Sequence, residues 1–320
     1  MLDTLRGNQA LREELLAALE AGRLPHSVLL VGEAGCGAGY AARCLAADYL
    51  FPGGGQPARD VLAGQVSVIN EKGGIETGKV REALAVRPAG KQEIIRVDQI
   101  RTARSEIFKS SLSSEGRVVL VYGAQAMNQN AANAFLKVLE EPPEGVLFIL
   151  TAASQAAVLP TIRSRCAIFG VAPVSRAECA EALREREKSL SAAEAQSLSA
   201  LFAGKIGSCL AACAPARRAQ LETANRLYAA IGSRDEYAVL ALLAGLEKDK
   251  PAARRLLADL AALCAATLRD PAFAPAGAQP LAGDACAAAI AAAGEADRKL
   301  AGNLSPKLVL TLLGAGLCGA

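Results

Sequence analysis

The sequence predicts an α/β domain with a five-stranded parallel sheet, followed by two all-helical domains. Short apolar runs alternate with helical stretches from the N-terminus to about residue 172, the pattern of a parallel sheet covered on both faces. After Pro173 no strand-like run recurs and helix-start signals take over.

Residues 7–22 repeat Leu11, Leu15, Leu16 and Leu19 at helical spacing, and Gly22 stops that helix. Ser27 to Val31, SVLLV, is continuous apolar sequence of the kind that forms a strand buried on both faces. It runs into the glycine-rich stretch GEAGCGAG, residues 32–39, and Tyr40 to Leu50 is helical. Further strand runs are VSVIN (66–70), RVVLVY (117–122), VLFILT (146–151) and AIFGV (167–171). Helices are expected over 98–110 and over NQNAANAFLKVLEE, where Asn128 is the N-cap and Pro142-Pro143 the stop.

Two capping boxes open the helical part, Ser175 with Glu178 and Ser191 with Glu194. A small helical unit is expected over 173–214. Pro215 opens a second block over 215–320, with helices at 215–232, 235–248, 251–268, 284–300 and 305–318 and a Pro- and Gly-rich loop from Asp270 to Gly283. That block is expected to bury Leu256, Leu257, Leu260 and Leu263 of one helix and Leu308, Leu310, Leu312 and Leu313 of the last.

Composition narrows the function classes. The 320 residues are 52% hydrophobic, but alanine and leucine dominate, and no stretch supplies the roughly 20 uninterrupted apolar residues of a membrane span. The N-terminal segment carries acids and lacks a basic start with an apolar core, so a cytoplasmic protein is expected. A net charge of +3 is far below the basic balance of a protein that binds DNA alone, so any role on DNA is expected to be shared with partners. The nine cysteines are scattered without a C-x-x-C pair and His26 is the only histidine, so no metal is expected.

Strand, glycine loop, helix is the context of a phosphate-binding P-loop, G-x-x-x-x-G-K-[ST]. Gly32 and Gly37 stand at its two glycines, with Gly35 between them, but Ala38 and Gly39 stand where lysine and the hydroxyl residue belong. The lysine neutralises the β and γ phosphates and the hydroxyl holds Mg²⁺, and neither residue here can do so. The loop retains its shape without its chemistry, and no nucleotide cofactor is expected.

Several separated stretches together carry a resemblance. GNQALREELLAALEAGRLPHSVLLVGEAGCGAG, IRVDQIR (95–101), NAANAFLKVLEEPPEGVLFIL (130–150) and TIRSRC (161–166), in that order, resemble the AAA+ clamp-loader subunits of bacterial DNA polymerase III, most of all the delta-prime type. The resemblance implies a P-loop α/β domain over 1–172, a helical lid over 173–214 and a collar for oligomerisation over 215–320. It implies a hetero-oligomeric ring with gamma/tau and delta subunits, working on the sliding clamp and primed DNA. On this alignment of motifs Tyr122 and Gly123 occupy the place of the Walker B acids, and the γ-phosphate sensor falls near Ala152, beside Thr151. Gly207, in GKIGSCL, stands where the lid of an active relative has arginine. The same resemblance makes Ser164, Arg165 and Cys166 the S-R-C motif, with Arg165 as an arginine finger acting on a neighbour's ATP. The four-cysteine zinc module of many relatives is missing, since LAADYLFPGGGQPARDVLAGQ holds no cysteine.

The chain itself is therefore expected to have no ATPase or polymerase activity. Alternatives are a gamma/tau-type or independent AAA+ ATPase with an atypical loop, and a diverged non-replicative adaptor. His26 is expected to pack or hydrogen-bond, and the basic excess from Lys79 to Lys109 to form a solvated face.

Overall fold

The computed structural model describes residues 1–90, 92–109, 116–302 and 304–318. The chain divides into two compact units, Met1–Val174 and Ser175–Ala320. In the first unit the elements run α1 (Gln9–Glu20), β1 (Ser27–Val31), α2 (Ala38–Leu50), α3 (Gly55–Leu62), β2 (Val66–Ile69), β3 (Ile75–Glu76) and β4 (Val80–Val86). They continue as α4 (Val97–Phe108), β5 (Arg117–Val121), α5 (Gln129–Glu140), β6 (Val146–Ala152), α6 (Pro160–Arg163) and β7 (Ala167–Gly170).

The sheet has seven strands in the order β3-β2-β4-β5-β6-β1-β7, where five were expected. All neighbours are parallel except β2 and β3. The two additional strands carry weak apolar signals. In β4, VREALAV, the pair Arg81-Glu82 and two alanines interrupt the apolar run, yet Ala83 to Val86 are buried in the sheet. The two-residue β3 is held by a turn in which the Asn70 side chain accepts from the N–H groups of Lys72 and Gly74, at 3.1 and 2.8 Å.

Burial alternates as a doubly covered sheet requires. Val118 and Leu120 of β5 join the core beneath α1, α2 and α3, while Val119 and Val121 join the opposite core with α4 and α5. Each such aliphatic side chain contributes about 1.5–3 kcal/mol by leaving water. Phe135 of α5 meets Phe148 of β6 edge to face, with ring centroids 5.5 Å apart. Asn128 caps α5 as expected, accepting from the Ala131 N–H at 2.8 Å. At the outer edge, the Asn8 carboxamide donates to the carbonyl of Ala172 and accepts from its N–H, at 3.0 and 2.8 Å.

The second unit contains α7 (Arg176–Arg186), α8 (Ala192–Leu201), α9 (Ile206–Ala212), α10 (Pro215–Gly232), α11 (Glu236–Ala244), α12 (Lys250–Arg269), α13 (Gly283–Ala301) and α14 (Pro306–Cys318). No strand occurs there among the described residues. Both expected capping boxes are formed. The core contains Leu256, Leu257, Leu260 and Leu263 of α12, together with Leu310 and Leu313 of α14. Leu308 and Leu312 depart from expectation: they are 54% and 57% exposed, because their four-residue spacing places both on the outward face of α14. Arg217 of α10 makes a bidentate ion pair, 2.5 Å at each contact, with Asp259 of α12, which is 3% exposed.

Candidate functional site: a closed loop and a presented arginine

Register brings the site residues of the first unit to one edge of its sheet. Val31 pairs with Ala152 and Val121 with Leu150, so the glycine loop, Tyr122 and Thr151 all lie at the carboxyl ends of adjacent strands. This is the edge where open α/β sheets bind ligands.

Both glycines of the motif have backbone reasons to be glycine. A β-carbon on Gly32 would stand 2.5 Å from the Val171 carbonyl oxygen, so only glycine lets the loop leave β1 this close to the chain after β7. Gly37 sits at φ +101° as the N-cap of α2, a conformation that side chains rarely adopt. Close packing at Gly32 and backbone conformation at Gly37 thus account for both glycines.

Ala38, at the lysine position, is 9% exposed and belongs to the core beneath the sheet. The Tyr122 ring lies beside Gly39, 3.5 Å from where its β-carbon would be. The guanidinium carbon of Arg87 stands 5.0 Å from the centroid of that ring, in cation–π contact. The Tyr122 hydroxyl is buried and has no hydrogen-bond partner among the described residues. Thr151 Oγ1 accepts from the Gly123 N–H at 3.1 Å, so the polar group beside Ala152 is engaged in holding the turn after β5. In the second unit, Gly207 lies in the first turn of α9. The three residues expected at the cation, hydroxyl and acid positions thus present a methyl, a bare α-carbon and an aromatic ring.

Arg165 has a different setting. Ile162 is 1% exposed and Cys166 packs against the core shared by α4 and α5, where burial pushes its thiol up to about 12. With these two facing inward, the turn after α6 leaves Ser164 exposed and the Arg165 side chain 35% accessible. Arg165 Nη1 donates to the Thr161 carbonyl at 3.0 Å and Nη2 to the Glu140 carboxylate at 2.5 Å. Glu140 ends α5, so the two signature stretches quoted above, LEEPP and SRC, meet at one ion pair. Sequence reasoning missed Glu140 because nothing local links residues 25 positions apart.

His26 Nδ1 lies 2.8 Å from the hydroxyl of buried Ser27, a hydrogen-bonding role as expected. Along the basic stretch, Arg101 pairs with Asp98, Lys109 with Glu106 and Lys79 with Asp60, while Lys91 lies outside the described residues. Among the described residues no group of His, Cys, Asp or Glu could hold a metal ion, and no helix is long and apolar enough to cross a membrane.

Residues 7–175 match the family model described as "DNA polymerase III, delta subunit". A subunit delta' of DNA polymerase III from Pseudomonas aeruginosa is 34% identical over 141 residues, covering 44% of this chain and 41% of the relative. A subunit gamma/tau from Mycobacterium bovis is 32% identical over 167 residues, covering 50% of this chain and 26% of the relative. The chain thus spans less than half the length of these two relatives. The crystal structure of a DNA polymerase III gamma subunit-related protein from Thermotoga maritima superposes with a TM-score of 0.53 and 22% identity, covering 95% of this chain and 98% of that one. At that identity the likeness concerns the fold.

Proposed function

We propose, from the premise that the chain belongs to the DNA polymerase III delta-subunit family, that it is a non-hydrolysing, delta-prime-type member of a clamp-loader ring. In this reading it works in the cytoplasm with gamma/tau and delta subunits to load the sliding clamp onto primed DNA. Residues 1–172 form its AAA+ domain, 173–214 its lid and 215–320 its oligomerisation collar. Arg165 reaches the ATP of an adjacent, catalytically intact subunit, so the chain contributes to hydrolysis without performing it.

One contrast supports this reading. The loop Gly32, Gly35, Gly37, Ala38, Gly39 has Tyr122 against it and alanine at the lysine position, while Arg165 is bonded at the surface to Glu140 and Thr161. A planar cation delivered to a neighbour's γ-phosphate is worth roughly 10³–10⁵ in rate in phosphoryl transfer. The 32% identity to a gamma/tau subunit favours a second reading, an ATPase with an atypical loop. Calorimetric titration with ATP and Mg²⁺ separates the two, because micromolar binding by this chain requires the second.

The deciding experiment measures clamp- and DNA-stimulated ATP turnover in reconstituted rings that carry wild-type chain, Arg165→Ala or Arg165→Lys. Turnover is expected to fall at least about tenfold for Ala and to recover little for Lys, which lacks the bidentate fork. An Ala ring that assembles and stays within about twofold of wild type overturns the finger role.

A further inference from the structure

We infer that Glu140 is the positioning residue for Arg165, fixing the guanidinium in the orientation from which it meets the triphosphate on a neighbouring subunit. The inference rests on the finger reading above and adds a residue to it.

Both anchors of the guanidinium stand on rigid backbone. Phe135, Val138 and Leu139 of α5 are each 2% exposed, so the backbone carrying Glu140 is fixed by the core up to the last turn of the helix. Pro142-Pro143 then prevents the helix from continuing. Thr161 precedes Ile162, which is 1% exposed, so its carbonyl is equally fixed. Between these points the guanidinium is held at both terminal nitrogens, Nη1 on Thr161 and more distantly on Ser164 Oγ, and Nη2 on Glu140. Two anchors define a plane, whereas one would leave it free to swing.

The fork has five N–H donors, and Nε makes no hydrogen bond among the described residues, so donors remain for a phosphate. A long side chain ordered before its ligand arrives loses less freedom when it binds. The geometry also fixes the sign of the effect. Glu140 is itself half exposed, so a phosphate can displace this ion pair, and the pair acts by biasing the guanidinium's orientation before the phosphate arrives.

The test uses reconstituted rings with Glu140→Ala, Glu140→Gln, Arg165→Ala and the Ala double variant, each checked for assembly. Glu140→Ala is expected to lower the kcat of stimulated ATP turnover about 3- to 10-fold while KM for ATP stays within about twofold. Glu140→Gln keeps an acceptor oxygen and should recover most of that loss. With Arg165 already replaced by Ala, removing Glu140 should change nothing further, which a merely structural role would not produce. Wild-type or faster turnover for Glu140→Ala, or a loss that persists in the Arg165→Ala background, overturns the inference while leaving the finger reading intact. No loss from Arg165→Ala overturns both, and that outcome is distinct from the others.

Discussion

Tyr122 packs beside Gly39, its ring 3.5 Å from where a β-carbon on that glycine would stand. On the proposed reading, these are the positions of the metal-holding hydroxyl and the Walker B acid, and they are packed against each other. Restoring Ala38→Lys and Gly39→Thr alone should therefore leave MgATP binding weaker than about 100 μM, because no acid is present for the metal. Adding Tyr122→Asp should tighten it by about tenfold or more, and calorimetric titration of the three proteins measures both steps.

The same tyrosine carries a buried hydroxyl without a hydrogen-bond partner among the described residues. A buried polar group left unpaired costs about 1–3 kcal/mol. Tyr122→Phe should accordingly be neutral or stabilising by about 1 kcal/mol, read as an unchanged or raised urea midpoint at constant m. A lowered midpoint would show that the hydroxyl is bonded in solution.

At Gly32 the constraint is steric. Alanine would bring its methyl within 2.5 Å of the Val171 carbonyl oxygen, and neither backbone segment can yield without disturbing β1. Gly32→Ala should cost about 1–3 kcal/mol. Gly170→Ala, where a β-carbon meets open space, should be close to neutral in the same thermal melts.

In the helical unit, the bidentate pair of Arg217 with Asp259 joins α10 to α12, with the acid almost wholly buried. Asp259→Ala leaves a partly buried guanidinium without its counter-ion and should lower stability by about 3–5 kcal/mol. Chemical denaturation followed by circular dichroism reads that loss.

What was legible in the sequence follows the range of the interactions involved. Asn128, Ser175 and Ser191 cap their helices as expected because each cap closes within three residues. The strands made of unbroken aliphatics were equally plain. Missed were β4, where Arg81-Glu82 and the alanines mask an interior strand, and α3, which begins at the third of three consecutive glycines and contains Pro57. Leu308 and Leu312 differ from Leu310 and Leu313 only by helical phase, which the packing partners of α14 set. At the site, the residues themselves, Ala38, Gly39 and Tyr122, could be placed on one loop and one strand end by position. The ring of Tyr122 against Gly39 and the hold of Glu140 on Arg165 could not, since both join residues brought together only by sheet register and helix packing.

The carboxamide of Asn8 has a further consequence. By bonding both backbone groups of Ala172 it imitates one residue of an adjoining strand, just beyond the last residue of β7. A sheet margin with vacant N–H and C=O groups is a template on which other chains can aggregate. Here the margin is only four residues long, and the next position along it is already taken by a side chain. Nascent copies folding side by side thus find little to zip onto, a form of colloidal protection built from a single asparagine.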